Sequence, residues 1–320
     1  SIRMIDLTGK KVVVTGSEGF FGSFIARNLI KRGADVIAVP SNNIDLTNID
    51  KTINFFIKKS PDYCIHAAGF NGGIQYNLNY PARILQANTV MGLNVHEACR
   101  ITEVKKVVSI MSSCAYPDTG MELLNEKDFW NGPPNKTIKS HGIAKRILQA
   151  ACESYKKQYN LNAVTVCVTN LYGEYDTFNL ERTKVVGALI RKVFDAKLGK
   201  TDFVECLGTG KPMREFMYAR DAAEGVVQAL EKYEDSFEPL NIGTGNEISI
   251  KELIEKIVSI AEFEGEVRWD TSKPDGQMKK LLDVAKMKQI LDLEPVSIDE
   301  GLTRTINWYS NHKTIADSRK

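Results

Sequence analysis

The chain has 320 residues, 43% hydrophobic and 26% charged, which excludes collagen, a coiled coil and an intrinsically disordered chain. The 42 Lys and Arg residues nearly balance the 40 Asp and Glu residues, and a net charge of +2 gives no field for nucleic acid or an anionic membrane surface. The longest apolar runs, about seven residues, are far shorter than a membrane span, and the first residues resemble no targeting segment. We therefore expect a cytoplasmic protein without a membrane or nucleic-acid partner.

Six cysteines and four histidines are spread along the chain without the close spacing of metal sites. Unpaired cysteines are typical of a reducing compartment. The sequence therefore predicts reduced thiols and no metal.

Apolar runs alternate with segments of helical periodicity through the first half of the chain. The predicted strands cover residues 10–15, 34–39, 62–68, 106–111 and 163–169. The predicted helices cover residues 23–32, 51–59, 83–100 and 141–159. Strands that are apolar throughout and alternate with helices indicate a parallel sheet covered on both faces. The sequence thus predicts an α/β fold with a doubly wound parallel sheet of the Rossmann type.

The alternation becomes irregular after about residue 172. Further helices are predicted over residues 184–197, 221–232, 249–261 and 297–312, and a last strand of the main sheet over residues 240–243. We expect a larger domain of residues 1–175 and 217–245. A smaller α/β domain of residues 176–216 and 246–320 is expected to pack tightly against it.

A glycine-rich turn connects the first predicted strand to the first predicted helix. Its spacing is G-x-x-G-x-x-G, and its residues are Gly16, Glu18, Gly19, Phe20, Phe21 and Gly22, with Ser17 between the first two. The free N–H groups and the dipole at a helix N-terminus attract a pyrophosphate. The turn therefore predicts a dinucleotide-binding site in the larger domain.

The end of the second strand bears on the choice between NAD and NADP. An acidic residue there binds the ribose of NAD, whereas a nearby Arg accommodates the 2′-phosphate of NADP. Pro40, Ser41 and Asn42 follow this strand and supply neither. Glu18 in the glycine turn is expected to repel a 2′-phosphate, so the sequence favours NAD and leaves NADP as the alternative.

Several motifs resemble those of the GDP-L-fucose synthase family, and the glycine spacing resembles that of extended short-chain dehydrogenases/reductases. The motifs are S-S-C-A-Y-P at 112–117, N-L-Y-G at 170–173, G-T-G-K-P-M-R-E-F at 208–216 and W-D-T-S-K-P-D-G at 269–276. The resemblance covers nearly the whole chain. It implies an NAD(P)-dependent homodimer that reduces C4 of a 4-keto-6-deoxy GDP-hexose after inverting C3 and C5.

The resemblance also assigns catalytic roles. The serine that binds the C4 oxygen falls on Ser112, the epimerase cysteine on Cys114 and the lysine of Y-x-x-x-K on Lys145. His141 stands at the position of the tyrosine, and Lys184 at that of the epimerase histidine. The cationic surroundings favour a neutral His141 that can act as a base, whereas a protonated Lys184 can act only as an acid.

Binding residues follow from the same resemblance. Besides the glycine turn, it implies cofactor contacts at Asp45, Leu46, Ala67, Ala68, Gly69, Asn88 and Lys145. It implies substrate contacts at Asn170, Arg214 and Lys280, where Arg214 can bind a phosphate with two parallel hydrogen bonds. His66 is expected to flank the cofactor or to serve the structure.

Three interpretations remain open from the sequence. The first is a GDP-sugar reductase and epimerase, and the second is a C4 reductase or dehydrogenase without epimerisation. The third is a dinucleotide-binding protein that has lost catalysis, because His141 could disable the site. A working variant, in which the proton passes through Ser112 and a water, stays open beside it. The sugar, the base and the reaction direction are not fixed by any motif.

Overall fold

A computed structural model describes residues 4–39, 44–69 and 74–319. Its strands are β1 (Lys11–Thr15), β2 (Asp35–Val39), β3 (Tyr63–His66), β4 (Lys106–Ser112), β5 (Leu123–Leu124), β6 (Ala163–Val168), β7 (Asn170–Tyr172), β8 (Phe203–Leu207), β9 (Met213–Arg214), β10 (Phe216–Tyr218), β11 (Leu240–Ile242), β12 (Ile248–Ser249), β13 (Glu266–Asp270) and β14 (Leu281–Leu282). Its helices are α1 (Phe20–Lys31), α2 (Ile49–Lys59), α3 (Ile74–Asn79), α4 (Pro81–Ile101), α5 (Lys139–Tyr159), α6 (Val185–Leu198), α7 (Ala219–Lys232), α8 (Ile250–Ile260), α9 (Ala285–Ile290) and α10 (Ile298–Ser318).

The main sheet has six parallel strands in the order β11-β6-β4-β3-β1-β2. Val12, Val13 and Val14 of β1 are completely buried, as expected of a central strand covered on both faces. The chain runs from β1 outward to β2 and then returns to β3 on the other side of β1. Ligands of such sheets bind at the carboxyl ends of the strands, at this reversal. The predicted doubly wound parallel sheet is confirmed.

Two ends of predicted elements differ from the structure beside this reversal. Helix α1 begins at Phe20 rather than at residue 23, because Gly19 caps it and accepts the N–H of Ser23 at 3.0 Å. Strand β3 ends at His66 rather than at residue 68, because the next two N–H groups bond to the Thr15 hydroxyl instead of a neighbouring strand. The first difference shortens the glycine turn between β1 and α1, and the second lengthens the loop after β3.

A second hydrophobic cluster lies outside the main sheet. It includes the completely buried residues Leu253, Ile254 and Ile257 of α8 and is supported by the parallel pair β8 and β13. Helix α10 extends to Ser318 with a non-helical residue at His312, six residues past the predicted end. The residue boundaries predicted for the two domains stay a prediction.

None of the helices in the described ranges is long and apolar enough to cross a membrane. The short helices α3 and α9 had no counterpart among the predicted elements, because six residues are too few to show helical periodicity.

Candidate active site

The glycine turn is built by backbone-to-backbone packing. A Cβ on Gly16 would lie 2.9 Å from the Cα and the N of Ala68, and a Cβ on Gly22 would collide with the carbonyl oxygen of Gly16. Gly16 also has φ +67°, in the left-handed region that favours glycine. Only glycine fits at both positions, so α1 begins directly against the ends of β1 and β3.

The N-terminus of α1 keeps its donors for a ligand. Within the described residues, Gly19 provides no side-chain cap and the first turn contains no acidic residue. The unpaired N–H groups and the helix dipole therefore favour an anion such as a pyrophosphate. This cradle fits the diphosphate of a nicotinamide dinucleotide.

Thr15 holds the segment that faces this cradle, a role that sequence reasoning missed. Its Oγ1 accepts the N–H groups of Ala67 at 3.0 Å and Ala68 at 3.1 Å, and lies 2.7 Å from Nδ1 of His66. With both lone pairs engaged, the hydroxyl has only its hydrogen to offer to Nδ1. Burial lowers the pKa of His66 to about 3, helped by the charge of Lys145, which keeps the ring neutral and leaves one nitrogen free to accept this hydrogen bond. The Thr-Gly pair at the end of β1 was the available signal.

Gly69, Asn88 and Lys145 come together next to this segment. A Cβ on Gly69 would lie 3.3 Å from both Oδ1 of Asn88 and Nζ of Lys145. The pKa of Lys145 is lowered, chiefly by burial and also by the charge of Lys184, although the neighbouring Cys114 acts in the opposite direction. An amide and an ammonium therefore face one point at the sheet edge, as binding a ribose hydroxyl would require.

The predicted acid–base residues meet where β4 ends against α5. Ser112 Oγ and Cys114 Sγ share a hydrogen bond of 2.8 Å. A Cβ on Gly142 would lie 2.7 Å from the carbonyl oxygen of Cys114, so the first turn of α5 packs directly on this loop. His141 occupies that turn.

His141 is a buried and neutral imidazole. Its residue is 8% exposed, and its Nδ1 has no hydrogen-bond partner in the described part of the chain. Burial lowers the pKa of His141 to about 3, assisted by the charges of Lys145 and Lys184. Lys184 is the exposed N-cap residue of α6, and its charge contributes to the lowered pKa values of His141 and Lys145.

Asp176 is a further titratable group of this cleft that no motif pointed to. Burial raises its pKa to about 6, although it accepts the N–H of Thr177 at 2.7 Å and lies near the charges of Lys184 and Arg319. Among the described residues, no three His, Cys, Asp or Glu side chains are grouped to hold a metal ion.

The predicted substrate residues lie on or next to short strands outside the main sheet. Asn170 begins β7 and donates from Nδ2 to the carbonyl oxygen of Glu215 at 3.0 Å. Arg214, half-buried in β9, donates to the carbonyl oxygen of Met213 at 2.8 Å. Burial lowers the pKa of Arg214. Lys280 directly precedes β14. The structure brings Asn170 and Arg214 together through Glu215.

Glu215 is the carboxylate that organises this region, and sequence reasoning missed it. The residue is 1% exposed, and Oε2 accepts the N–H groups of Thr244 at 2.7 Å and Gly245 at 2.9 Å. Its Oε1 faces the N–H of Leu282, two residues after Lys280, at 3.4 Å. One buried carboxylate therefore ties the segments of Arg214 and Lys280 together.

Two predicted cofactor residues lie farther along the edge, after β2. Asp45 is exposed, and hydrogen bonds from the hydroxyl of Thr47 and from its N–H, the latter at 3.0 Å, lower the pKa of its carboxyl group. Leu46 is buried, and its carbonyl oxygen accepts a bond from Asn94 at 2.9 Å. The contact of Asp45 and Leu46 with the cofactor stays a prediction. Residues 40–42, used in the choice between NAD and NADP, lie outside the described residues.

Comparison with known proteins places this site in a family. Residues 12–243 match the NAD dependent epimerase/dehydratase family. The GDP-L-fucose synthase of Sinorhizobium fredii is 36% identical over 312 residues, which cover 98% of this chain and 98% of the relative.

Two solved structures extend the comparison. A GDP-L-fucose synthetase from Naegleria fowleri bound to NADP superposes with a TM-score of 0.92 at 29% identity, covering 99% of this chain and 98% of that one. A GDP-mannoheptose C4 reductase from Campylobacter jejuni with NADP bound gives a TM-score of 0.85 at 28% identity, covering 94% and 98%. The resemblance drawn from the motifs is thereby confirmed, and the chain belongs to the NAD dependent epimerase/dehydratase family.

Proposed function

We propose that the protein is an NADP(H)-dependent reductase that acts at C4 of a GDP-linked keto-deoxy sugar. One observation carries the proposal: the glycine cradle and the group of Ser112, His141 and Lys145 lie at the same edge of one parallel sheet. A hydride donor held in the cradle would therefore lie beside an acid–base group. The GDP-sugar activities of the relatives support the same substrate class.

NADP(H) is proposed as the cofactor, in place of the preference for NAD drawn from Glu18. Both solved relatives above contain NADP. Glu18 is exposed, so water and salt screen its charge and weaken the expected repulsion of a 2′-phosphate. The larger predicted domain would hold the dinucleotide, and the smaller one the nucleotide sugar.

Each catalytic side chain has a distinct task in the proposed reaction. The bound dinucleotide would supply the hydride for C4. The Ser112 hydroxyl donates a hydrogen bond to the C4 oxygen. His141, which the resemblance places at the position of the family's tyrosine, would give that oxygen a proton from its protonated form during reduction and would then take up a proton from water. Lys145 would bind the cofactor ribose, and burial together with the charge of Lys145 keeps His141 neutral between turnovers.

C4 reduction without epimerisation is the second candidate, and the observation that favours it is Lys184. Inversion needs an acid and a base on opposite faces of the sugar, and Lys184 stands where the family's histidine would act. Cys114 remains as one partner, in contact with Ser112. Full epimerase activity would require Lys184 or another group to replace the histidine.

The nucleotide diphosphate would be bound by Arg214 and Lys280, with Asn170 contacting the sugar.

A homodimer is proposed as the assembly, because α4 leaves Leu85 38% and Leu93 39% exposed on one face. Light scattering of the purified protein tests the dimer.

A deuterium-transfer experiment tests the function. The protein is incubated with NADPH deuterated at C4 of the nicotinamide and a GDP-linked 4-keto-6-deoxyhexose. We expect one deuterium at C4 of the sugar by mass spectrometry, whereas bound NADPH without transfer would support the loss of catalysis. Repeating the reaction with unlabelled NADPH in D₂O separates the two candidates, since only epimerisation introduces deuterium at C3 or C5.

A further inference from the structure

The end of α10 is held against the active-site cleft. After the non-helical residue His312, the chain turns so that Ala316 is completely buried and accepts the N–H of Phe178 at 3.0 Å. The hydroxyl of Thr177 donates to the carbonyl oxygen of Arg319, and the Arg319 N–H bonds to Ile315 at 3.0 Å. The backbone position of Arg319 is therefore fixed from two sides.

The side chain of Arg319 reaches the glycine turn. Its Nη2 donates to the carbonyl oxygen of Glu18 at 3.3 Å, a contact between residues 301 positions apart in the chain. Its charge also acts on Asp176, the residue that precedes Thr177. A guanidinium thus lies between the turn that begins α1 and the segment that follows β7.

The guanidinium of Arg319 lies next to the turn where a phosphate of the dinucleotide would bind. Glu18 directly precedes Gly19, the residue that caps α1 without a side-chain bond and leaves the first-turn N–H groups to a ligand. The contact with Glu18 uses one of the five N–H donors of the guanidinium, and its planar fork suits a phosphate oxygen pair. Neither the glycine turn nor any other motif of the sequence identifies this cation.

We propose that Arg319 binds a phosphate group of the dinucleotide, as a residue of the cofactor site supplied by the end of α10. The inference rests on the proposed function, because it needs a dinucleotide in the cradle. The phosphate is either the pyrophosphate or the 2′-phosphate. Both are anionic groups of the same cofactor, and two small ligands distinguish them.

The test is Arg319→Gln, which removes the charge and keeps the backbone bonds to Thr177 and Ile315. Affinities for ADP, with a 5′-diphosphate, and for 2′-AMP, with only a 2′-phosphate, are measured by competition against NADPH fluorescence. Loss of a charge-assisted bond should weaken one of the two ligands by about tenfold and the other by less than about twofold. The control is Arg268→Gln, which removes an exposed arginine paired with Glu266 on β13.

A selective loss identifies the phosphate that Arg319 contacts, because a packing defect would weaken both ligands equally. Equal weakening of both ligands, or unchanged affinity for both, would overturn the inference while leaving the proposed function in place. A wild-type protein that binds none of the three ligands would overturn the proposed function and this inference with it.

Discussion

The cofactor cradle and the acid–base group lie at the same edge of one sheet and are built in opposite ways. In the cradle, backbone meets backbone, and Gly16 and Gly22 leave no room for one additional carbon. Around His141, side-chain charge and burial set the chemistry, and a different residue type can occupy the position if its protonation state is suitable. The cradle therefore depends on shape, and the acid–base group depends on electrostatics.

The largest effect is expected from His141→Phe. Removing a positioned acid–base group should lower turnover of the keto sugar by about 10²–10⁴-fold. NADPH affinity should stay unchanged, because the cradle is formed by other residues. Stopped-flow turnover with a parallel NADPH titration measures both quantities.

His141→Tyr tests whether His141 works as the acid–base group or disables the site. A large gain in rate over the wild-type protein would mean that His141 disables the site. A rate at or below that of the wild-type protein would agree with a working histidine.

Gly22→Ala is expected to break the cradle. The added methyl group overlaps the Gly16 carbonyl oxygen, and strain of about 3 kcal/mol would weaken NADPH binding by about a hundredfold. Ser23→Ala is the matched control on the same helix, since the Ser23 hydroxyl bonds back to the carbonyl oxygen of Phe20 and the backbone bond to Gly19 is kept. Calorimetry with NADPH compares the two variants, and unchanged binding by Gly22→Ala would contradict the packing argument.

Arg214→Ala should act on the sugar nucleotide alone. Loss of a charge-assisted phosphate contact costs about 1.5–3 kcal/mol, so KM for the GDP-sugar should rise by about ten- to a hundredfold. NADPH affinity should not change. An unaltered KM would place Arg214 outside the substrate site.

The smallest effect concerns stability in acid. The pKa of His141 is lowered from about 6.5 in the unfolded chain to about 3 in the folded one, so the unfolded chain binds the extra proton between these values. The lowered pKa of His141 therefore costs no stability above about pH 6.5, and the free energy of unfolding falls by about 1.4 kcal/mol per pH unit as the pH falls from there toward 3. Urea unfolding at pH 7.5 and 5.5 should show a smaller loss for His141→Phe, and equal losses in both proteins would contradict it.

The sequence predicted the parts of the molecule that depend on local pattern. The main strands, the glycine turn and the family could be inferred from apolar runs and fixed spacing in the first 216 residues and at 269–276. Thr15, Asp176, Glu215 and Arg319 were missed, because their contacts join segments far apart in the chain or depend on burial. Arg319 and Glu18 show this most clearly, since only the path of α10 brings them together.

The preference for NAD that Glu18 suggests is weakened by the same dependence on burial. A charge within the glycine turn was weighed without knowing its exposure, and the structure places Glu18 in solvent. Charges decide a site only where burial protects them from screening, as it does at His141.

The central claim is that a neutral His141 exchanges the proton at C4, and the pH dependence of the two reaction directions tests it most directly. Rates of hydride transfer are measured between pH 5 and 8 with NADP⁺ and the alcohol product, and with NADPH and the keto sugar. With the pKa of His141 at about 3, alcohol oxidation should be independent of pH over this range, while ketone reduction should slow about tenfold per unit as pH rises. Two results would contradict the account. One is an oxidation rate that rises with pH through an apparent pKa between about 6 and 8, and the other is a His141→Phe variant with the pH profile of the wild-type protein.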